Sequence, residues 1–284
     1  MRLPAGTEAY AVSHLPSSLW RWVILSVALL QPLLPLYWAL VTSFRKGSDL
    51  FSTVPFAPPS FENYSGLLSN PTWWHDAANS LISASAVALI TLILAIPAAY
   101  ALGRISFQGR NTVLALLLGC AMLPQIAILS GLFTVISKFG LYNRLGSLIF
   151  ADLFFALPFA IWLLTGFFRD LPRDLDDAGR LDGCGIMRRI LMIHLPLVWP
   201  GLAATGLLTF INCWNEFLFG LTFTLSDSAR TLPVSIGLIS APSRFELPFG
   251  LIMAASLLGT LPPILLVLFF QRRIAAGLTA GAVK

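Results

Sequence analysis

Six stretches of the chain run for more than 20 positions with almost no charge. Arg21 and Arg45 bracket 23 residues free of Lys, Arg, Asp and Glu, Asp76 and Arg104 bracket 27, and Arg110 and Lys138 bracket 27. Arg189 and Glu216 bracket 26, Glu246 and Arg272 bracket 25, and Arg144 and Arg169 bracket 24 that are interrupted only by Asp152. About 20 mostly apolar residues cross a bilayer as a helix. Each stretch therefore predicts one span, the longest of them tilted or carrying interfacial ends. In lipid the backbone must satisfy its own hydrogen bonds within each segment, which predicts helices. A membrane β-barrel would show short alternating segments, and none is present. The expected fold is an all-α polytopic bundle of six transmembrane helices forming a single domain over 1–284.

Prolines interrupt several of the predicted spans: Pro32 and Pro35, Pro97, Pro124, Pro158, and Pro262 with Pro263. Each removes a helix hydrogen bond and favours a kink. The kinks read either as ordinary bending of membrane helices or as the shaping of a cavity between helices that move.

Composition agrees with this pattern and excludes other classes. The chain is 57% hydrophobic and 11% charged, against about 25% charged in soluble domains. A water-soluble globule and a disordered chain are both excluded. Three cysteines make no disulfide framework or metal spacing. The sequence has no Gly-x-x-x-x-Gly-Lys-Ser/Thr phosphate loop, so no ATP hydrolysis is expected of the chain itself, and no His, Glu or Cys set suits a nucleophile. Of the 18 basic residues, 12 fall on the side that holds both termini and 6 on the other. The excess of basic residues marks the cytoplasmic side, so both termini are predicted cytoplasmic. The net charge of +5 then reflects this inner-face excess and no nucleic-acid partner. Positions 1–19 lack a short apolar core with a small-residue cleavage site, so the segment is expected to be cytoplasmic and the first span retained.

The loops differ. The outer loop 44–75 is rich in Pro and aromatics, suiting an interfacial belt or a docking surface for an outside partner. The loop 104–110 is short and basic, 138–146 is a short outer turn, and 227–246 is a longer outer loop. The segment 169–196 stands apart, with five acids and five arginines in 28 residues. Asp174, Asp176 and Asp177 suit a helix N-terminus, where carboxylates meet the positive end of the helix dipole. Leu175, Ala178 and Leu181 follow at a spacing that gives a modest apolar face. Gly183 and Gly185 supply a turn, a second helix starts at Ile186, and Pro196 marks entry into the next span. The predicted element is helix, glycine turn, helix at the membrane surface, shaped to be gripped by another protein.

The same segment resembles the EAA loop of the permease subunits of binding-protein-dependent ABC importers, which reads Glu-Ala-Ala, three residues, Gly, nine residues, Ile-x-Leu-Pro. Asp177-Ala178-Gly179 stands at Glu-Ala-Ala, Asp182-Gly183 at Asp-Gly, and Ile193-His194-Leu195-Pro196 closes the motif with its spacing intact. Asp177 in place of Glu shortens the reach, Gly179 in place of Ala weakens the helix by up to about 1 kcal/mol, and Cys184 stands where Ala is usual. Asn79-Ser80, Pro97-Ala98-Ala99-Tyr100-Ala101-Leu102, Trp214-Asn215-Glu216-Phe217, Thr231-Leu232-Pro233-Val234 and the tail from Gln271 to Lys284 are similar to the carbohydrate branch of that family.

The resemblance implies a transport subunit that binds no cofactor, with ATP and Mg held by partner subunits. The implied partners are a second, homologous permease, an ATPase dimer, an extracytoplasmic solute-binding protein and the lipid bilayer. The implied location is a bacterial or archaeal cytoplasmic membrane, and the implied mechanism is alternating access. Asp177, Ala178, Gly179, Arg180, Leu181, Asp182 and Gly183 would form the coupling helix and turn that dock into an ATPase groove. The tail 272–284 would contact the ATPase dimer. Glu216 is an acid well inside an apolar stretch, flanked by Trp214 and Asn215 and preceded by Asn212. An ionisable group in a span usually faces a cavity or a partner. These four residues read either as contacts on the translocation path, with Trp214 offering a face to a sugar ring, or as bonds between helices and at a subunit interface. Asp152, near the outer end of its span, is expected to be solvated. A sugar or oligosaccharide is the expected cargo, with glycerophosphodiesters and amino sugars as alternatives. A stand-alone secondary transporter has only Glu216 and Asp152 as ion-coupling candidates.

Overall fold

A computed structural model describes residues 17–45, 59–239 and 248–282. The N-terminal residues 1–16, residues 46–58 of the first outer loop, residues 240–247 of the last and positions 283–284 lie outside the described residues, and with them parts of the expectations for the N-terminal segment, both outer loops and the tail. Among the described residues every regular element is helical. In order these are α1 (Ser17–Ser43), α2 (Glu62–Leu68), α3 (Pro71–Arg104), α4 (Arg110–Ala121), α5 (Gln125–Lys138) and α6 (Leu145–Asp170). They continue as α7 (Asp174–Leu181), α8 (Ile186–Leu197), α9 (Trp199–Trp214), α10 (Leu218–Phe223), α11 (Leu232–Gly237) and α12 (Phe249–Ala282).

Four helices, α1, α3, α6 and α12, are each long and apolar enough to cross a bilayer unaided. The other two charge-free stretches are bent pairs, so the count reaches six when each pair is taken as one span. α4 and α5 meet at 92° across Met122–Pro124, and both cannot lie along the membrane normal. α8 and α9 meet at 83°. Pro196 lies inside α8, and it is Pro200, in the first turn of α9, that follows the bend. The fifth span therefore begins later than its charge-free window. The prolines at 32, 35, 97, 158, 262 and 263 stay within continuous helices.

α3 is the spine. Asn70 caps it by accepting a hydrogen bond from the Thr72 amide at 3.0 Å, and Pro71 occupies the first turn, where no amide is needed. Its most extensive packing is against α6, with α9 next. Ala84, Ala95 and Ala99 of α3 and Ala151 and Ala160 of α6 are fully buried. Small residues let membrane helices approach closely, where van der Waals contact replaces the hydrophobic drive available in water. One core joins Ala95, Ala99 and Tyr100 to Leu164, Phe168, Ile190 and Leu202, tying α3, α6, α8 and α9 together near the 104–110 turn. A second joins Trp73, Phe210, Trp214, Leu232 and Ala254, and a third joins Ile136, Leu148, Phe219 and Phe223.

α1 is held only near its end. Residues 20–38 are all exposed, while Ser43 bonds the Tyr64 hydroxyl at 2.7 Å and Asn63 donates to the carbonyls of Ser43 and Arg45 at 2.8 and 3.0 Å.

Candidate functional site

The charged segment 169–196 folds as α7, a turn and α8. Three acids in the first turn of α7 meet the unpaired amides of its N-terminus. Of the apolar face expected from Leu175, Ala178 and Leu181, Leu175 is half-buried and the other two point outward. Asp176 and Gly179 are the buried positions, and Leu181 is 89% exposed. The physical reason is that the wall beneath α7 is polar, built from Tyr100 and Arg104 at the end of α3 and from Arg189 and His194 of α8.

Asp176 is the point of attachment. Its Oδ1 accepts from the Tyr100 hydroxyl at 2.9 Å, and its Oδ2 accepts from Arg104 Nε at 2.6 Å. Arg189 and His194 approach Oδ1 at 3.7 and 3.3 Å. Arg104 reaches further, donating from its terminal nitrogens to the carbonyls of Leu171 and Pro172, both at 2.6 Å, and of Phe168 at 3.3 Å. One arginine thus ties the end of α3 to the end of α6 and to α7. Burial alone would push the Asp176 carboxyl up, but the hydrogen bonds from Arg104 and Tyr100 and the Arg104 charge outweigh it and hold it below the ordinary carboxylate value.

Two glycines set the geometry. Gly183 has φ +72°, a conformation that a Cβ disfavours. The Cys184 amide donates to the Gly179 carbonyl at 2.9 Å and the Gly183 amide to Arg180 at 3.0 Å, the bond pair of a Schellman cap. Gly185 has φ −64° and needs no such freedom. At Gly179 a Cβ would lie 2.9 Å from both Arg189 Cδ and Ile193 Cδ1, so the missing methyl lets α7 lie close on α8. Within α8, Ile190–His194 form a π turn, a widening that recurs at functional sites. It sets His194 inward, fully buried, with Nδ1 donating to the Arg189 carbonyl at 3.0 Å. Asp177, Ala178, Arg180, Leu181 and Asp182 face outward. The Asp177–Arg180 pair on that face is 3.9 Å apart and well exposed, so it adds little stability.

A second region gathers at the far end of α9. A cavity of about 560 Å³ is lined by Asp152, Phe155 and Phe159 of α6, by Asn212, Asn215 and Glu216, and by Leu123 and Gln125 from the break between α4 and α5. Two helix breaks meet here, at 122–124 and at 215–217. Irregular backbone at membrane depth is tolerated where it lines a water-filled space. Glu216 uses both carboxylate oxygens as acceptors, taking the Phe219 amide at 2.7 Å and the Gly220 amide at 2.9 Å. It therefore caps α10 as well as facing the cavity. Trp214, expected alongside it, is turned away: it is 3% exposed, stacks on Phe210 and donates its indole N–H to the Gly259 carbonyl at 3.0 Å. Asp152, expected in solvent, is 7% exposed and lines the cavity beside Cys213. Among the described residues no cluster of His, Cys, Asp and Glu could hold a metal ion.

The residues missed by sequence reading are Tyr100, Arg104, Arg189 and His194 as partners of Asp176. Arg104 and Asp176 are 72 positions apart. The one available signal was that Arg104 ends a span on the same side of the membrane as the charged loop.

Comparison with known proteins places these features in context. A family model described as the binding-protein-dependent transport system inner membrane component matches residues 95–279. The chain is 41% identical over 255 residues to the trehalose/maltose transport system permease protein MalG of Thermococcus litoralis, with 89% of this chain and 91% of that protein covered. It is 35% identical over 270 residues to the trehalose transport system permease protein SugB of Mycobacterium tuberculosis, covering 93% and 97%. Among solved structures, a chain of a bacterial ABC transporter involved in the import of the acidic polysaccharide alginate shares the fold with a TM-score of 0.79 at 20% identity, covering 94% of this chain and 99% of that one.

Proposed function

The chain belongs to the family of binding-protein-dependent transport system inner membrane components, and from that premise we propose that it is the permease of an ATP-driven importer that carries a di- or oligosaccharide across the membrane by alternating access. The observation that carries this reading is the mounting of α7. Its inner face is pinned to three other helices through Asp176 and Arg104, while its outer face stays free for a partner. Relatives named for trehalose and maltose transport and for diacetylchitobiose uptake support a sugar or amino-sugar oligosaccharide as cargo over a glycerophosphodiester.

The parts fit a lever. An ATPase dimer, holding ATP and Mg, grips Asp177, Ala178, Arg180, Leu181 and Asp182. Because Asp176 and Arg104 join α7 to α3 and α6, closing of that dimer moves these helices with α7. Through α8 and its 83° bend the movement enters α9, which is about 24 Å long and ends beside the cavity. There Asn212, Asn215 and Glu216 face the path. A second, homologous permease covers the exposed surface of α1 and completes the cavity. A solute-binding protein delivers the sugar from outside, and both termini lie in the cytoplasm.

The test is reconstitution. The tagged chain should bring down an ATPase and a second permease, and vesicles holding the complex and its binding protein should accumulate labelled trehalose or maltose when ATP is supplied. A chain that purifies without an ATPase overturns the importer, and an active complex that ignores neutral sugars overturns the cargo.

A further inference from the structure

Three arginines at the loop end of the bundle have no acid to meet them. Arg110 opens α4, Arg169 lies in the last turn of α6 and Arg173 precedes α7. They share one strongly polar pocket of about 450 Å³ with Arg104, Arg180, Asp176 and Asp177. Both acids are already engaged, Asp176 by Arg104 at 2.6 Å and Asp177 by Arg180 at 3.9 Å. Among the described residues neither Arg169 nor Arg173 makes an ion pair or a side-chain hydrogen bond, and Nε of Arg110 is buried without a partner. Five guanidiniums thus face two carboxylates in one concavity, which concentrates anions from solution.

The place of the pocket selects the anion. It opens between the ends of α3 and α6 and the start of α4, where apolar helices leave the bilayer. The turn that closes it carries Ile105 and Phe107, 40% and 46% exposed on either side of Ser106. A soluble ion has no use for these side chains, whereas acyl chains do. Basic pockets between membrane helices on the inner side take anionic headgroups, and the planar guanidinium matches phosphate oxygens in pairs.

We propose that this pocket binds the phosphate of an anionic phospholipid, with Arg110, Arg169 and Arg173 donating to its oxygens and Ile105 and Phe107 lying against its chains. The headgroup ties the start of α4 to the end of α6 and to the residue before α7, and so bears on how firmly the coupling loop is held. This goes beyond the cargo reading and rests on the chain lying in a membrane with this end of the bundle on the inner side.

The experiment uses the full chain in the complex with which it purifies, in mixed micelles of phosphatidylglycerol and phosphatidylcholine. Native mass spectrometry then counts the lipids retained. The expected result is preferential retention of phosphatidylglycerol that falls about ten-fold for each of Arg110→Gln and Arg169→Gln, the factor one charged hydrogen bond supplies. Arg144→Gln, at the opposite end of α6, should leave the preference unchanged. Because Arg169 is exposed, its substitution tests the site even where Arg110→Gln folds poorly. Equal retention of both lipids overturns the proposal. So does displacement of the lipid by millimolar inorganic phosphate, which assigns the pocket to a soluble anion, and so does loss of the lipid when the ATPase subunits bind.

Discussion

Arg104 and Asp176 stand 72 residues apart in the chain and meet at 2.6 Å, with side chains 4% and 12% exposed. The contact joins a helix long and apolar enough to cross a bilayer to an eight-residue helix with three acids in its first turn. Breaking one partner of a buried pair leaves the other charge uncompensated, which costs about 3–5 kcal/mol. Asp176→Asn should therefore lower the melting temperature of the purified complex and cut transport while ATP hydrolysis continues. A variant that transports at the normal rate removes Asp176 from the lever.

The pH response of this contact has a definite sign. The Asp176 carboxyl is held below its unfolded value, so its stabilisation is full above about pH 4 and is lost as pH falls through the lower, folded value. Protease accessibility of the 171–185 segment should be flat from neutral pH down to about 4 and rise below it. In Asp176→Asn the segment should be accessible throughout, with no acid step.

Gly183 tests the turn. A β-branched residue forced to φ +72° is strained by about 1–2 kcal/mol and re-aims α8. Gly183→Val should insert in the membrane at the normal level yet lose most uptake, while Gly183→Asn, which tolerates this conformation, keeps most of it. Normal uptake by a well-expressed Gly183→Val chain counts against the coupling role.

Gly179 separates packing from propensity. Alanine there favours the helix by up to about 1 kcal/mol, but overpacking costs about 1–3 kcal/mol, and the added methyl meets Arg189 and Ile193 at 2.9 Å. Gly179→Ala should be neutral to mildly destabilising in thermal melts, and Gly179→Leu should lift α7 from α8 and abolish uptake.

At the cavity, neighbouring residues should give opposite readouts. Asn212→Leu changes the lining and should raise the apparent KM for sugar with little change in melting temperature. Trp214→Phe loses the bond to Gly259, worth about 0.5–1.5 kcal/mol, and should lower stability with KM unchanged. Glu216→Ala removes both acceptors that cap α10 and should do both.

The spans were legible because a charge is too costly to leave in lipid, and its near-absence over 23 or more positions, broken only by Asp152, is visible in one sequence. The location of the charged segment 169–196 was legible for the converse reason. The orientation of side chains within these elements was not. Leu181 carries the spacing of a buried residue, yet it points outward because the surface beneath α7 is lined by Arg104, Arg189 and His194, and none of them lies in α7. Trp214 and Asn212 are two positions apart on one helix, which separates them by about 200°. They cannot both face the cavity, and sequence alone does not say which does. Pro124 announced a break, but a right angle there depends on what α5 packs against.

The π turn at Ile190–His194 has a genetic consequence. Its hydrogen-bonded ring holds one residue more than an α turn, so α8 carries a spare position. Removing Leu191 should relax the segment to plain α-helix, shift His194 at the end of the turn, and leave the side chains from Leu195 through α9 on their present faces. The same deletion within α9 rotates the remainder of that helix by about 100° and swings Asn212 off the cavity. Single-codon losses should therefore be survivable in the one stretch and not in the other, although the shortened α8 no longer sets His194 against Asp176.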